Sequence, residues 1–332
     1  MVNWGIIGFG LHGDKRLMPG FARSRNCRVT AIQRRHPEKA RTTAQRYSIP
    51  HAFTSVEEIC KSADVDAVLV TSPNSLHLDE VLAAFRFGKH VLCEKPLAMN
   101  ADEASQMVTA AKKAGKQFGV AHVFRFCQSV NLIRDRLGEI GVPAIARADF
   151  SYFAPPNHPR SWLTNRSVAG GGPLADVGVH CIDTLRYILR DEVVRISAVG
   201  AKDALSGDVE SAAALSIEFL KGTVANVAVS IRAEYHTVIE IRGDRGAFNS
   251  TKGLAVDFPV TVELWRENKI FDQQTVFNEL AYAFQVDEFA DAIEGKAMFR
   301  APGEEGWQNQ VILDAAYRSI ASGKTEEVSR VT

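Results

Sequence analysis

The segment Gly8-Phe9-Gly10-Leu11-His12-Gly13 constrains the fold of this chain more than any other part of its sequence. It follows an apolar run over residues 4–8 that is typical of a short buried strand, and a helix is expected after it. In such a unit the three glycines permit a tight turn, close approach of a pyrophosphate to the backbone, and close packing of helix on strand. We therefore predict a dinucleotide-binding loop whose contacts are Gly8, Phe9, Gly10, Leu11, His12 and Gly13.

Strand-like and helical patterns alternate along the first third of the chain. Further strand-like runs lie at residues 28–33, 66–71, 90–93 and 117–121. The clearest helix is predicted over residues 100–114, because Asn100 can cap it and Gly115 can end it. The first helix is expected to kink or end early at Pro19. This alternation predicts a doubly wound parallel sheet of the Rossmann type over residues 1–122.

The pattern changes after about residue 122. Strand-like runs at 145–153, 195–199, 212–219, 223–231, 237–242 and 260–265 are joined in several places by short turns, as in an antiparallel meander. One strong helix is predicted over 176–189, and two more near the end of the chain. We therefore expect an α/β protein whose second domain, residues 123–332, is an α/β domain with an open, largely antiparallel sheet.

Length and composition agree with two folded domains, since the chain has 332 residues, of which 46% are hydrophobic and 23% charged. Lys and Arg number 39, as do Asp and Glu, so no general attraction to nucleic acid or acidic membranes is expected. The five cysteines are widely spaced without a Cys-x-x-Cys pair, which favours a reducing, cytoplasmic location over disulfides or a zinc ribbon. We expect neither a signal peptide nor a membrane span.

The end of the second predicted strand bears on the choice of dinucleotide. An acidic residue about 20 positions after the glycines would bind the ribose 2′-hydroxyl of NAD. This chain instead has Gln33-Arg34-Arg35. No carboxylate repels a 2′-phosphate here, and the guanidiniums of Arg34 and Arg35 can bind one. We predict NADP(H) as the preferred cofactor and NAD(H) as the alternative, and a solvated basic turn is the competing interpretation.

The segment His90-Val-Leu-Cys-Glu-Lys-Pro96 is the most specific local signal. Its strand ends at Glu94, and ligands of such sheets lie beyond the carboxyl ends of the strands. Lys95, held next to Pro96, is a candidate proton donor or carbonyl polariser. From these residues alone, an ordinary surface lysine after a strand fits about as well.

A second cluster follows three successive glycines at 170–172. Asp176, His180 and Asp183 are spaced i, i+4 and i+7, so we expect them on one helical face. An acid beside a histidine suits proton transfer. A divalent metal site and a buried structural histidine are the alternatives, and the metal is disfavoured because no further ligand cluster is evident.

Together these motifs resemble the Gfo/Idh/MocA family of two-domain dehydrogenases over essentially the whole chain. The resemblance rests on the glycine loop, Thr71-Ser-Pro-Asn-Ser-Leu-His77, Glu94-Lys95-Pro96 and Asp176-x-Gly178-x-His180-x-x-Asp183. Within the family, Tyr152-Phe-Ala-Pro-Pro followed by Arg160-Ser-Trp162 is most similar to sugar reductases of the 1,5-anhydrofructose reductase kind.

The resemblance implies specific roles. Lys95 and His180 would be the proton-transfer residues, and Asp176 would hold a substrate hydroxyl. The other implied cofactor contacts are Ser72, Pro73, Asn74, His77, Glu94 and, in addition to its proton-transfer role, Lys95. Trp162 and Tyr282 would line the substrate pocket or the nicotinamide. The family's second sheet commonly forms dimers or tetramers.

Two departures from the family pattern are visible. His12 stands where the family more often has an aliphatic residue, and Leu163 follows Trp162 where the sugar-reductase branch usually has arginine. We predict an NAD(P)-dependent oxidoreductase that moves a hydride between the nicotinamide and a carbinol or carbonyl carbon of a sugar, polyol or related small molecule, without a metal. The alternatives are an NAD-assisted glycoside hydrolase and a non-catalytic NADP(H)-binding sensor.

Overall fold

The computed structural model describes residues 1–155 and 158–331, and these divide into two units. The first comprises Met1–Val123 and Leu280–Trp307, and the second comprises Phe124–Glu279 and Gln308–Thr332. Pro156, which belongs to one of the stretches used for the resemblance, lies outside the described residues. Residues 280–307, expected in the second domain, are grouped with the first unit in the structure.

The elements are as follows. The strands are β1 (Val2–Ile7), β2 (Cys27–Gln33), β3 (His51–Phe53), β4 (Ala67–Val70), β5 (His90–Cys93), β6 (Phe118–Val120), β7 (Pro143–Phe153), β8 (Val193–Ala201), β9 (Ala212–Phe219), β10 (Val224–Ser230), β11 (Arg232–Gly243), β12 (Ala247–Thr251), β13 (Pro259–Arg266), β14 (Lys269–Phe277) and β15 (Glu326–Glu327). The α-helices are α1 (Met18–Ala22), α2 (Pro37–Tyr47), α3 (Val56–Lys61), α4 (His77–Arg86), α5 (Ala101–Ala114), α6 (Gln128–Asp135), α7 (Arg166–Ala169), α8 (Val179–Leu189), α9 (Ala281–Ile293) and α10 (Gly303–Ser322).

The first unit is built on a parallel sheet of order β3-β2-β1-β4-β5-β6. The central strands are buried, as in doubly wound sheets covered on both faces. The chain order reverses between β1 and β4, and this topological switch point is where such sheets bind dinucleotides. The predicted Rossmann fold is confirmed.

The segment 280–307 completes the first unit through its aromatic core. Trp4 of β1 is fully buried, and its ring lies 5.5 Å from that of Phe289 on α9. Phe289 in turn meets Phe299 edge-on at 5.0 Å. The helix after the glycine loop is irregular, as Pro19 predicts: Gly13–Leu17 is π-helical and α1 then ends at Ala22. A side chain at Gly20 would come within 2.7 Å of Tyr282 Cβ, so Gly20 allows α9 to pack closely on α1.

The second unit contains a sheet of order β14-β13-β12-β11-β7-β10-β9-β8-β15. Its pairs are antiparallel except for β10 with β7, which confirms the largely antiparallel sheet. Burial alternates strictly along β9 and β10, so one face is covered and the other is open. Within the described part of the chain, no helix is long and apolar enough to cross a membrane.

Candidate active site

The three glycines of the glycine loop differ in the space around them. Gly8 has a φ of +73°, and a Cβ there would lie 2.7 Å from the backbone of Ser72. A Cβ on Gly10 would lie no nearer than 3.7 Å to its neighbours, so the loop is open at that point. A Cβ on Gly13 would come within 3.1 Å of the Phe9 ring. The three glycines therefore allow a tight turn, an open backbone and close packing against Phe9, in that order.

Gln33 holds this loop against β2, and sequence reasoning missed that role. Its side-chain Oε1 accepts a hydrogen bond from Gly8 N at 3.0 Å, while its Nε2 donates to the Thr54 carbonyl at 2.9 Å. Its carbonyl accepts from Phe9 N at 3.1 Å. The Phe9 side chain is itself buried. The signal in the sequence for Gln33 was a glutamine at the end of an apolar, strand-like run.

The two arginines after β2 differ in their surroundings. Arg34 is half-buried, and its Nη1 donates to Thr43 Oγ1 on α2 at 2.6 Å. This bond restricts the guanidinium before any ligand arrives. Arg35 is exposed, and its charge acts on Glu80. Burial raises the pKa of Glu80 to about 7, while its hydrogen bond to Ser72 and the charge of Arg35 act in the opposite direction.

The His77 side chain contacts the backbone of the segment that follows β4. This imidazole is buried; its Nε2 lies 3.0 Å from the Ser72 carbonyl, and its Nδ1 lies 3.2 Å from those of Pro96 and Leu97. Burial lowers the pKa of His77. His77 thus links the β4 segment to the β5 segment through backbone atoms. Pro73 and the buried Asn74 lie between Ser72 and α4.

Glu94 and Lys95 follow β5 at the carboxyl edge of the sheet, as predicted. The Lys95–Pro96 peptide bond is cis, and Lys95 N donates to Glu94 Oε2 at 3.3 Å. His12 Nε2 lies 2.9 Å from Glu94 Oε1. The ring of His12 also meets the ring of Tyr282 edge-on at 5.8 Å. The structure therefore brings together residues that the sequence offered as four separate candidates.

In the second unit, the glycines at 170–172 allow other elements to approach the segment that carries Asp176. A Cβ at Gly171 would lie 1.7 Å from the hydroxyl of Tyr317, and one at Gly172 would lie 2.0 Å from the Glu210 carbonyl. Glu210 Oε1 accepts from Gly172 N at 3.0 Å and from Tyr317 at 3.0 Å. Asp176 follows in a π-helical turn, Leu174–Gly178, which leads into α8.

Asp176 is oriented by Tyr152, a residue to which sequence reasoning gave no role. The Tyr152 hydroxyl donates to Asp176 Oδ2 at 2.7 Å, and Arg160 Nη1 lies 3.7 Å from Oδ1. Burial and the charge of Asp176 both raise the pKa of Tyr152 far above its usual range, so the phenol remains a donor. Alternation along β7 could have indicated that Tyr152 points to the covered face, but not what it meets there.

His180 lies on α8 within an aromatic setting. Its ring meets Phe124 edge-on at 4.7 Å and lies nearly parallel to Phe150 at 6.4 Å. Phe150 also contacts Tyr235 at 6.1 Å. Trp162 is half-buried in a turn, Ser161–Thr164, and Leu163 beside it is buried.

Asp183 is tied into a buried ion pair. Arg125 Nε donates to both carboxylate oxygens at 3.1 and 3.0 Å, and its Nη2 donates to Oδ1 at 2.6 Å. Asn309 Nδ2 adds a bond of 2.8 Å. These contacts engage Asp183 in holding α8 and α10 rather than in a metal site. Among residues 1–155 and 158–331, no cluster of three or more His, Cys, Asp or Glu side chains could hold a metal ion.

Sequence comparisons place both units in one family. Residues 2–122 match the profile described as "Oxidoreductase family, NAD-binding Rossmann fold" of GFO_IDH_MocA, and residues 133–249 match the GFO/IDH/MocA C-terminal domain. A 1,5-anhydro-D-fructose reductase from Ensifer adhaerens is 32% identical over 99% of each chain. A D-glucoside 3-dehydrogenase from Escherichia coli is 26% identical over 97% of this chain and 96% of that protein.

Structural comparison agrees with the sequence matches. A levoglucosan dehydrogenase in complex with NADH superposes with a TM-score of 0.89, at 25% identity, over 99% of this chain and 100% of that one. An aldose–aldose oxidoreductase from Caulobacter crescentus superposes with a TM-score of 0.88 at 26% identity, over 98% of this chain and 99% of that one.

Proposed function

Because this chain belongs to the Gfo/Idh/MocA family of oxidoreductases, with an NAD(P)-binding Rossmann fold, we propose that it is an NADP(H)-preferring sugar or polyol dehydrogenase. The observation that carries this proposal is the carboxyl edge of the parallel sheet. There the open glycine loop and the Glu94–Lys95 segment both lie at the dinucleotide-binding edge. The bound nicotinamide would supply or accept the hydride.

The residues of the first unit fit such a cofactor. The loop at Gly10 can admit the pyrophosphate, and Arg34 can bind a 2′-phosphate at the end of β2. Thr43 holds the Arg34 guanidinium in place, so less side-chain entropy is lost when the phosphate binds. This preorganisation supports NADP(H) over NAD(H).

Reversing the charge of Arg34 should reverse the cofactor preference. We expect Arg34→Asp to lower the ratio of NADPH to NADH affinity roughly 100-fold, because a charged hydrogen bond is replaced by repulsion. Arg35→Asp is the matched comparison and should have the smaller effect, since Arg35 is exposed and has no comparable anchor to Thr43. Fluorescence titration with both nucleotides measures the ratio, and an unchanged ratio in Arg34→Asp would count against NADP(H) preference.

Proton transfer is assigned to Lys95 and His180, the two residues that the family resemblance implies. In the reducing direction negative charge develops on the carbonyl oxygen, and we assign its stabilisation to the Lys95 ammonium. Lys95 or His180 delivers the proton. Asp176 accepts a hydrogen bond from a neighbouring substrate hydroxyl, since Tyr152 fixes one of its oxygens.

Removing the Tyr152 hydroxyl should weaken substrate recognition without unfolding the protein. Tyr152→Phe keeps the half-buried ring but takes a donor from the Asp176 carboxylate, which should cost about 10-fold or more in kcat/KM. The affinity for NADPH should not change. Tyr187→Phe is the matched control, because its hydroxyl donates to Asn131 at 2.9 Å instead. Equal losses in the two variants would show that Tyr152 does not act through Asp176.

The substrate class is inferred from the relatives and from the site. The similar proteins act on 1,5-anhydro-D-fructose, D-glucosides and levoglucosan, according to their names. The test is a panel of these three compounds, with NADPH for reduction and NADP⁺ for oxidation, followed through the absorbance of reduced nicotinamide. Turnover with any of them supports the proposal. Binding of NADPH without turnover across a wide sugar and polyol panel would favour the sensor instead.

The open face of the second sheet supports self-association. Ile145 and Val224 are exposed on paired positions of β7 and β10, and Ala214 and Ala228 pair beside them on β9 and β10. Small and apolar side chains on the open face of a sheet suit a second copy of the same surface. We propose a homodimer or homotetramer through this face, acting in the cytoplasm, and sedimentation analysis measures the oligomeric state.

A further inference from the structure

His12 makes a contact that its position in the glycine loop does not require. The loop needs glycine at three positions, and residue 12 is not one of them. Nevertheless the His12 side chain reaches 82 residues along the sequence to Glu94, with Nε2 2.9 Å from Oε1. The ring of Tyr282 also lies edge-on to the His12 ring, at 5.8 Å. Two partners from distant segments therefore fix the imidazole.

This contact crosses the topological switch point. His12 follows β1, Glu94 follows β5, and β4 lies between these strands in the sheet. Under the proposed function, the half with Arg34 would hold the adenine nucleotide, and the half with β4, β5 and β6 would then face the nicotinamide nucleotide. His12 thus joins the pyrophosphate loop to the nicotinamide half of the crevice, where Lys95 also lies.

The charge state of Glu94 decides which group donates the hydrogen bond in this contact. Burial alone would raise the pKa of Glu94, but His12, the Lys95 ammonium and the Lys95 N–H outweigh burial and lower it. The carboxylate is therefore ionised at neutral pH, and His12 Nε2 is the donor. Glu94 uses one oxygen for His12 and the other for the Lys95 backbone. Each carboxylate oxygen can accept a second hydrogen bond.

We propose that His12 is a positioning residue for the nicotinamide half of the cofactor, because it holds the Glu94 carboxylate where that group receives the ribose hydroxyls. This inference rests on the proposed function, since it needs a nicotinamide dinucleotide in the crevice. An aliphatic side chain at residue 12 could fill the same space but could not orient Glu94. His12 therefore contributes to the affinity for the nicotinamide half of the dinucleotide and not for the adenine half.

The test compares two ligands that share the adenine half. NADPH carries the nicotinamide nucleotide, and adenosine 2′,5′-bisphosphate lacks it. We expect His12→Leu to weaken NADPH binding about 10-fold, the usual scale of a lost charged hydrogen bond, and to leave the bisphosphate unaffected. His12→Gln should restore most of the affinity, because its amide nitrogen can donate from nearly the same place.

Matched controls separate this role from general stability. His51 Nε2 lies 2.8 Å from Asp64 Oδ2 in the same unit, at the opposite end of the sheet, so His51→Leu should change neither affinity. In the double variant His12→Leu/Glu94→Gln, the loss of NADPH affinity should be smaller than the sum of the losses in the two single variants. The reason is that each substitution removes the same interaction.

The outcomes are distinct. Equal weakening of both ligands by His12→Leu would place its effect in the pyrophosphate loop and overturn the inference, as would an unchanged NADPH affinity. If the wild-type protein prefers NADH, the same comparison uses NADH and ADP. If the wild-type protein binds no nicotinamide dinucleotide, both the proposed function and this inference are overturned. Results with the variants alone bear only on the role of His12.

Discussion

Replacing Lys95 with methionine is expected to lower kcat/KM about 10³-fold, while NADPH still binds. The ammonium is assigned to the developing charge and is one of two candidates for proton delivery, and losing either role typically costs 10²-fold or more. Lys95→Arg tells the two roles apart, because arginine keeps the charge but does not release its proton. Partial rescue by arginine would indicate charge stabilisation, and no rescue would indicate proton transfer.

The control for Lys95 lies at the other end of the same strand. Lys89 immediately precedes β5, and its Nζ donates to the carbonyls of Ser62 and Val65 at 2.8 and 2.6 Å. Lys89→Met should keep full activity per folded molecule. Cofactor binding is checked by thermal unfolding, where a ligand at 100 times its Kd adds about 2.7 kcal/mol. Near-normal turnover by Lys95→Met would remove Lys95 from the mechanism.

The largest loss of stability is expected from Asp183→Asn. Arg125 is 4% exposed and Asp183 is 1% exposed, so neutralising the carboxylate leaves a buried guanidinium without its counter-charge. Such a change costs about 3–5 kcal/mol. For a unit of this size the thermal midpoint should fall by roughly 10 °C. Urea unfolding, followed by tryptophan fluorescence, measures the free energy of unfolding. Calorimetry measures the thermal midpoint.

An exposed pair serves as the comparison for Asp183. Arg195 and Glu218 form an ion pair on β8 and β9 with side chains 56% and 39% exposed. Arg195→Ala should cost less than about 1 kcal/mol, because water already solvates both charges. If Asp183→Asn were no more damaging than Arg195→Ala, the buried pair would not be what holds α8 to its neighbours.

Local signals in the sequence predicted their elements well. Asn100 caps α5 by accepting from Glu103 N at 2.9 Å, and Gly115 ends that helix with a φ of +61°. These outcomes depend on residues three or four apart. The parallel sheet was likewise predicted, because its buried strands are short apolar runs between periodic helices.

Other elements carry no such signal. β14 is exposed along most of its length, so it lacks the alternation that marks a half-buried strand, and sequence analysis did not predict it. β3 has three residues and depends on pairing with β2. Both strands are defined by pairing with a neighbouring strand, β14 with β13 and β3 with β2, rather than by a pattern of their own.

In the candidate site, too, some residues were predictable from the sequence and others were not. Residue type and position in a motif identified Lys95, Asp176 and His180 as candidates. The hydrogen bonds that orient Asp176 and Glu94 join residues 24 and 82 positions apart. No periodicity reports contacts over that distance, so Tyr152 and the link from His12 to Glu94 emerged only from the fold.

The discontinuous first unit has a consequence for synthesis on the ribosome. β1 is translated first, yet Trp4 is covered by Phe289, and Val120 N donates to the Ala301 carbonyl at 2.9 Å. The amino-terminal unit therefore cannot close its core until residue 307 has left the exit tunnel, by which time most of the second unit is already available to fold. Nascent chains released before that point should expose apolar surface and depend on chaperones.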